Sequence, residues 1–231
     1  MTDRNVLVTG AFGGLGGAVV EAFVANGDRV AAVDLAAEAP AALAAAVGGR
    51  AVMLGGHDLG DPAGAAAAVE AAAAALDGRL DGLVNLAGGF AWQTVADGDA
   101  ETWDRLYTMN LKTCVNMCRA AIPHLRRAGG RIVNVGAGGA VKAAAGMGAY
   151  AASKSGVHRL TEALAEELKG EVAVNAVLPS TIDTPANRRD LPNADFSAWV
   201  TPADLAQVIL FLASDKARAV TGALLAVNGR V

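Results

Sequence analysis

The sequence has few aromatic residues, few cysteines and no excess of positive charge. Aromatic side chains make up 4% of the 231 residues, so Ala, Val and Leu must form most of any core. A formal net charge of −4 without a basic segment argues against nucleic-acid binding. No apolar run reaches the roughly 20 residues of a membrane-spanning helix, so we expect a cytoplasmic protein that does not bind membranes.

Cysteine and histidine are too sparse and too dispersed to indicate a metal centre. Cys114 and Cys118 lie one helical turn apart in an amphipathic stretch, which is typical of buried free thiols. His57, His124 and His158 are far apart in the sequence. We therefore predict no metal site, and we interpret His158 as a helix-face residue.

Short β-branched runs alternate with Ala-rich helical stretches along the whole chain. This alternation predicts an α/β fold, namely a Rossmann-type, doubly wound parallel sheet in a single domain over residues 1–231. About seven strands are predicted, at 5–10, 29–35, 51–54, 82–86, 130–135, 171–177 and 222–227. Residues 183–199 have no clear period, and we predict a loop there that closes over the substrate.

A glycine-rich turn follows the first predicted strand, with Gly10, Gly14 and Gly16 just before a helix. Glycines allow a sharp turn and close approach of a phosphate, and the helix N-terminus offers unpaired N–H groups to a pyrophosphate. Asp34 ends the second strand, where a carboxylate can accept hydrogen bonds from both ribose hydroxyls and repels a 2′-phosphate. The cofactor is therefore predicted to be NAD (NADH), with NADP disfavoured.

Residues that follow the first four strands are predicted to line one cleft, because the carboxyl ends of parallel strands meet at one edge of the sheet. The predicted cofactor-binding residues of this cleft are Gly10, Phe12, Gly13, Gly14, Leu15, Gly16, Asp34, Leu35, Asp58, Leu59, Asn85, Ala87 and Gly88.

Tyr150 and Lys154 form a Y-x-x-x-K pair in a stretch with strong helical periodicity. Their side chains therefore leave the same helix face one turn apart. An ammonium group beside a phenol stabilises the phenolate and lowers the phenol pKa toward neutrality. The pair predicts Tyr150 as a proton donor or acceptor.

The order of these motifs resembles the short-chain dehydrogenase/reductase family over essentially the whole chain. The resemblance rests on TGAFGGLG, Asp34, NLAGG, Met109-Asn110, the Tyr150/Lys154 pair, Leu178-Pro179 and VTGALLAVNG. It implies an NAD(P)-dependent oxidoreductase that moves hydride between nicotinamide C4 and a small-molecule substrate. It also implies a homodimer or homotetramer.

In the family pattern Tyr150 is the acid/base, Lys154 binds the nicotinamide ribose, and Asn110 positions a relay water. Pro179, Ile182 and Thr184 match the segment that contacts the cofactor carboxamide.

Ala137 departs from that pattern, because the family places a substrate-binding serine thirteen residues before the tyrosine. Loss of one such donor costs about 10²–10³ in rate. The enzyme is then impaired, or a backbone N–H or the cofactor substitutes, or the substrate does not concentrate charge on one oxygen.

The third explanation gains from a closer resemblance to the dihydropteridine reductase branch, which also has Ala at this position. The shared text includes GAGGAVKAAAGMGAY, KSGVHRL and VLPSTIDTPANRRDLPNADFSAW. A quinonoid dihydropterin spreads negative charge over several atoms. Trp92 and Trp199 are either aromatic faces for such a ring or packing residues.

Two other hypotheses stay open: an ordinary carbonyl/alcohol oxidoreductase without the usual serine, and a non-catalytic NAD(H)-sensing protein.

Overall fold

The computed structural model describes residues 4–230. They form a seven-stranded, fully parallel sheet with helices on both faces, in the strand order β3-β2-β1-β4-β5-β6-β7. The strands are β1 Asn5–Thr9, β2 Arg29–Val33, β3 Ala51–Leu54, β4 Gly82–Asn85, β5 Arg131–Val135, β6 Ala173–Pro179 and β7 Leu224–Val227. The predicted Rossmann-type fold is confirmed.

Within the described range, eight α-helices connect and flank the strands. They are α1 Gly14–Ala25, α2 Ala41–Val47, α3 Pro62–Ala75, α4 Ala100–Leu106, α5 Thr113–Ala128, α6 Gly148–Glu167, α7 Pro185–Asp190 and α8 Pro202–Leu212. A π-helical segment, Tyr107–Lys112, joins α4 to α5. Short 3₁₀ turns lie at Gly48–Arg50, Gly138–Ala140, Phe196–Ala198 and Asp215–Ala217.

Two apolar clusters, one on each face of the sheet, hold these layers together. One is formed by α3, α5 and α6, where Ala68, Met117 and Leu125 are fully buried. The other is formed by α1 and α8, where Val19, Phe23 and Ile209 are fully buried. Burial on both faces explains why the central strands are near-continuous runs of Val, Leu, Ile and Ala.

The strand order reverses beside β1, because β1 pairs with both β2 and β4. In open parallel sheets such a reversal leaves a crevice at the carboxyl ends of the strands. The fold therefore places the glycine-rich turn after β1 and the residues after β4 on the two sides of one crevice.

The region 183–199 was predicted as a loop, and this prediction was wrong in part. Thr184 accepts a hydrogen bond from the backbone N–H of Asn187 (3.2 Å), and Pro185 follows it in the first turn of α7. A hydroxyl cap followed by proline is a helix-start signal that a period search over so short a helix cannot detect.

Candidate active site

The turn between β1 and α1 requires glycine at two positions for different reasons. Gly10 has a φ of +61°, and a Cβ there would lie 2.9 Å from the backbone of Ala87. A Cβ on Gly16 would overlap the carbonyl oxygen of Gly10. Gly13, which precedes α1, supplies no side-chain cap. The first turn of α1 therefore presents backbone N–H groups without a competing side-chain acceptor from that position, which suits a phosphate.

A cavity of about 870 Å³ opens at this turn. It is lined by the predicted residues Gly10, Phe12, Gly13, Gly14, Leu15, Gly16, Asp34, Leu35, Asp58, Leu59, Ala87 and Gly88. His57 and Leu86 also line it, in agreement with the prediction that residues after the first four strands share one cleft. Further lining residues that the sequence reasoning missed are Ala36, Gly60, Asp104, Arg105, Thr108, Met109 and Thr113. Those at 104–113 belong to α4, the π-helical segment and the start of α5. Only the Met109-Asn110 motif pointed to that region.

Asp34 is held in place at the rim of this cavity by two backbone groups. Its Oδ2 accepts a hydrogen bond from the N–H of Phe12 (2.9 Å), and its Oδ1 accepts one from the N–H of Ala36 (3.0 Å). The carboxylate is thereby oriented before any ligand arrives. The cavity lining also includes one cation, Arg105, which follows Asp104 directly in the sequence.

Asn85 lies outside this cavity, contrary to the sequence prediction. Its side chain is 6% exposed, and Nδ2 donates a hydrogen bond to Oδ1 of Asn134 on β5 (2.9 Å). Asn134 in turn donates to the hydroxyl of Thr161 (2.9 Å). Because alternate residues of a strand face opposite sides of the sheet, Asn85 points into the layer beneath α6 rather than into the crevice. It supports β4 against β5.

Tyr150 and Lys154 project from α6, as predicted, but their electrostatics differ from the prediction. Burial raises the pKa of Tyr150 to about 12 and lowers the pKa of Lys154 to about 8. The ammonium of Lys154 donates a hydrogen bond to the carbonyl oxygen of Val135 (2.8 Å). The predicted lowering of the phenol pKa is therefore absent here, because desolvation of Tyr150 dominates and Lys154 binds the end of β5.

Asn110 lies in the π-helical segment and fixes the turn after β4. Its Oδ1 accepts a hydrogen bond from the N–H of Gly89 (2.8 Å), and its Nδ2 donates to the carbonyl of Gly89 (3.1 Å). A Cβ on Gly88 would lie 2.6 Å from Oδ1 of Asn110 and 3.3 Å from Nζ of Lys154. The structure thus brings the glycine pair, Asn110 and Lys154 together.

Ser153 is a neighbour of this group that the sequence reasoning missed. Its hydroxyl accepts a hydrogen bond from Nδ2 of Asn110 (3.0 Å) and donates one to the carbonyl of Tyr150 (2.8 Å). It therefore connects the two helical segments that carry Asn110 and Tyr150. In the sequence, only its position directly before Lys154 could have indicated that Ser153 belongs to this group.

Ala137 follows β5 with extended backbone (φ −158°, ψ 141°) and is 4% exposed. Its backbone N–H donates to Nε2 of His158 (3.3 Å). This N–H is already bonded, so it does not replace the missing serine hydroxyl in this arrangement. His158 lies on a face of α6, and this face is turned inward, so its imidazole is buried behind the end of β5 with 3% exposed.

The segment after β6 reaches back to the glycine-rich turn. A Cβ on Gly14 would lie 3.5 Å from Cγ2 of Thr184, so the two residues are adjacent across the cleft. Ile182 forms a β-bridge with Val200, and Arg188 donates two hydrogen bonds to the carboxylate of Asp183 (2.5 and 2.8 Å). Thr184 is thereby anchored on both sides. Pro179 ends β6. Of the predicted cofactor-binding residues, those not among the residues that line the cavity are, besides Asn85, Pro179, Ile182, Thr184, Tyr150 and Lys154.

An aromatic surface stands beside Tyr150. The ring of Phe90 is 49% exposed and contacts the Tyr150 ring edge-on, with 5.0 Å between centroids. Trp92 is 62% exposed, and its indole N–H donates to the carbonyl of Ala145 (3.1 Å). Trp199, in contrast, is 8% exposed and packs against Phe196 at 4.8 Å, so it is a packing residue.

Both cysteines are buried free thiols, as predicted. Within residues 4–230 no three His, Cys, Asp or Glu side chains are grouped closely enough to hold a metal ion. No helix of that range is long and apolar enough to cross a membrane.

Known proteins share both this sequence pattern and this fold. The family model described as short chain dehydrogenase matches residues 4–195. A D-threitol dehydrogenase of Mycolicibacterium smegmatis is 37% identical over 99% of this chain and 93% of its own length. The 2-(S)-hydroxypropyl-CoM dehydrogenase 3 of Xanthobacter autotrophicus is 35% identical over 99% of this chain and 96% of its own.

Among solved structures, a 3-ketoacyl-(acyl-carrier-protein) reductase from Brucella melitensis complexed with NADH superposes with a TM-score of 0.88. It is 31% identical, and the match covers 98% of each chain. None of these three proteins carries a pteridine reductase name, so they give no support to the resemblance to that branch.

Proposed function

The chain belongs to the short-chain dehydrogenase family and is a nicotinamide-dependent oxidoreductase, and on that premise we propose that Tyr150 is its acid/base group. Lys154 and Asn110 complete the proposed catalytic set, and the proposed family domain spans residues 1–231. When bound, the nicotinamide ring supplies or accepts the hydride. The glycine turn, Asp34 and Thr184 would hold the dinucleotide, which the close backbone approach at Gly16 supports.

At neutral pH both catalytic groups of the site carry their protons. Tyr150, with its pKa raised to about 12, is in the protonated form that a reduction requires, and burial makes its phenol a weaker acid than a free tyrosine. Lys154, with its pKa lowered to about 8, remains largely charged at neutral pH and can hydrogen-bond the ribose. Asn110 holds the turn that borders Lys154, and from this position it would order a water for proton relay.

We further propose that the cofactor is NADH rather than NADPH. Both oxygens of Asp34 accept backbone N–H bonds and still have lone pairs for ribose hydroxyls. A 2′-phosphate at the same place would face a fixed carboxylate. Arg105 lines the same cavity. If the protein preferred NADPH instead, this arginine would be the cation that binds the 2′-phosphate.

For the substrate, we propose a flat, conjugated acceptor such as a quinonoid dihydropterin. The observation that carries this proposal is Ala137, which has no hydroxyl and whose N–H is bonded to His158. A substrate that localises charge on one oxygen lacks a donor there, whereas a conjugated ring disperses that charge. The exposed rings of Phe90 and Trp92 offer apolar faces beside Tyr150.

A second candidate is an ordinary alcohol or carbonyl compound. The names of the relatives support it, since two are named as dehydrogenases of D-threitol and of 2-(S)-hydroxypropyl-CoM, and the structural neighbour is named as a 3-ketoacyl-(acyl-carrier-protein) reductase. In that case a donor other than Ala137 has to approach the substrate oxygen.

The deciding experiment measures NADH oxidation with quinonoid dihydropterin beside a panel of ketones, aldehydes and quinones. Selective turnover of the pterin is the expected result. Turnover of carbonyl compounds alone would establish the second candidate. Tight NADH binding without turnover of any acceptor would indicate a non-catalytic NAD(H)-sensing protein instead.

The family also supports an assembly of identical subunits, and we propose a homodimer or homotetramer in the cytoplasm. Phe211 on α8, Leu225 on the edge strand β7 and Trp103 on α4 are exposed apolar residues. Covering such residues is what a subunit interface does. Light scattering of the purified protein measures the number of subunits directly.

A further inference from the structure

His158 occupies a position in the site that the catalytic roles above leave unexplained. It follows Tyr150 and Lys154 at the same four-residue interval on α6, so all three side chains lie along one helix face. Its imidazole is almost fully buried behind the end of β5, where Nε2 accepts the backbone N–H of Ala137 (3.3 Å).

Lys154 and His158 together hold the two residues that flank Gly136 at the end of β5. Lys154 donates to the carbonyl of Val135 (2.8 Å), and His158 accepts from the N–H of Ala137. Between them, Gly136 donates its N–H to the carbonyl of Val177 on β6 (2.9 Å). A Cβ on Gly136 would overlap the imidazole, so glycine at this position makes room for the ring.

We propose that His158 is a positioning residue that holds Ala137 in the wall of the substrate site while its imidazole is neutral, and releases it on protonation. The inference rests on the proposed function, because Ala137 matters to turnover only if Tyr150 is the proton donor beside it.

The hydrogen bond itself dictates this dependence on protonation. An N–H donor requires a lone pair on Nε2, so the neutral ring must carry its proton on Nδ1. A protonated imidazole would present a second N–H toward the N–H of Ala137 and a positive charge toward Lys154. The contact would then change from attractive to repulsive.

The surroundings of the ring keep it neutral near pH 7. Burial lowers the pKa of His158 below its usual 6.5, and the charges of Arg159 and Lys154 lower it further, whereas Glu162 raises it. These three groups lie on α6 itself. The strand-side neighbours within the described chain, Gly136 and Leu178, carry no charge.

Because the folded-state pKa is depressed, the stabilising contribution of the neutral ring is fully present above pH 6.5. It is lost as the pH falls through the lower, folded-state value. Turnover should fall in the same acidic range.

The test compares pH–rate profiles of NADH oxidation by the wild type, His158→Gln and His158→Met, with the acceptor that the wild type reduces. Gln offers an uncharged acceptor of similar reach, and Met fills the space without one. We expect His158→Gln to retain turnover and lose the decline below pH 6.5. His158→Met should lose about tenfold or more in kcat/KM at every pH, because the Ala137 N–H is left unpaired.

NADH binding, followed by fluorescence, and thermal unfolding show whether each variant folds. An unchanged acidic decline in His158→Gln, or wild-type turnover in a folded His158→Met, would overturn the proposal. If Met prevents folding, the Gln profile alone decides.

A second readout does not depend on turnover, so it separates failure of this inference from failure of the proposed function. The chain has three histidines. Nitrogen NMR of the imidazoles therefore identifies His158 as the signal that disappears in His158→Gln. The expected result is an Nδ1-protonated ring that titrates below pH 6.5. An Nε2-protonated ring, or titration at or above 6.5, would contradict the proposal even in a protein that turns over no acceptor.

Discussion

The proposed dinucleotide side of the cleft and the proposed substrate side are built from different parts of the chain. The proposed dinucleotide side, formed by residues 10–16, 34–36 and 57–60, consists largely of backbone, and glycines make that backbone accessible. The proposed substrate side, formed by residues 90–92, 137 and 145–150, combines separate segments, in which the Phe90 ring contacts the Tyr150 ring and the Trp92 indole donates to the carbonyl of Ala145. A site built from backbone depends on the path of the chain, whereas a site built from loop side chains can diverge without disturbing the fold.

The largest effect should come from Tyr150, the proposed acid/base group. Tyr150→Phe removes the proton donor and keeps the ring that contacts Phe90, so we expect turnover to fall about 10²–10⁴-fold with NADH affinity nearly unchanged. Steady-state kinetics and NADH fluorescence titration measure the two quantities. Tyr107→Phe, at a tyrosine that is 54% exposed, is the matched control and should behave as wild type. Substantial turnover by Tyr150→Phe would refute the acid/base assignment.

The second-largest effect is expected at Gly16. It tests whether NADH binding requires the close backbone packing of the glycine-rich turn. Gly16→Ala places a methyl group against the carbonyl of Gly10, and overpacking of this kind costs about 1–3 kcal/mol, or roughly 5- to 150-fold in NADH affinity if the turn has to shift. Gly17→Ala, one residue further, meets only Leu43 at 3.7 Å and should bind NADH normally. Equal affinities for the two variants would show that the close approach at Gly16 is unimportant.

The contrast between backbone-built and side-chain-built regions explains which features could be predicted from the sequence. The glycines of the turn and Asp34 were predictable, because a left-handed φ, a close backbone approach and a strand-end carboxylate each require a particular residue type. The strands were predictable from their apolar runs, since burial on both faces leaves little choice of side chain. Asn85 was misplaced because a motif gives the position of a residue but not the face of the strand on which it lies.

The substrate side was less predictable because its residues act through contacts between distant segments. Nothing at His158 or Ser153 in the sequence indicates that one binds Ala137 and the other joins Asn110 to α6. The state of Lys154 depends on a carbonyl nineteen residues away. The exposed ring of Trp92 and the buried ring of Trp199 were equivalent candidates until tertiary structure separated them.

A third prediction addresses Ala137, the residue at which the substrate side departs from the family pattern. Ala137→Ser supplies the hydroxyl that the family pattern has at this position. Because one such donor is worth about 10²–10³ where geometry is ideal, a gain of about tenfold in reduction of ketones is expected. Reduction of the dihydropterin should change little. Ala143→Ser, in the exposed part of the neighbouring loop, is the control. A loss of turnover on every acceptor would mean that the site has no room for a hydroxyl at residue 137.

The smallest effect is expected on the ratio of NADH affinity to NADPH affinity. Asp34→Asn removes the charge that would repel a 2′-phosphate but also replaces one acceptor facing the N–H groups of Phe12 and Ala36 with a donor. NADH affinity should therefore fall severalfold while NADPH affinity rises, shifting their ratio about tenfold. Fluorescence titration with each nucleotide gives the ratio.

Asp58→Asn makes the same charge change within the same cavity and is the control for that shift, since Oδ1 of Asp58 accepts the N–H of Gly60 instead. If both variants move the ratio equally, the general negative potential of the cleft selects NADH, and the orientation of Asp34 is incidental. If only Asp34→Asn moves it, selection resides in one carboxylate held by two backbone groups. The preference for NADH over NADPH would then depend on the path of the main chain, as the shape of the dinucleotide side does.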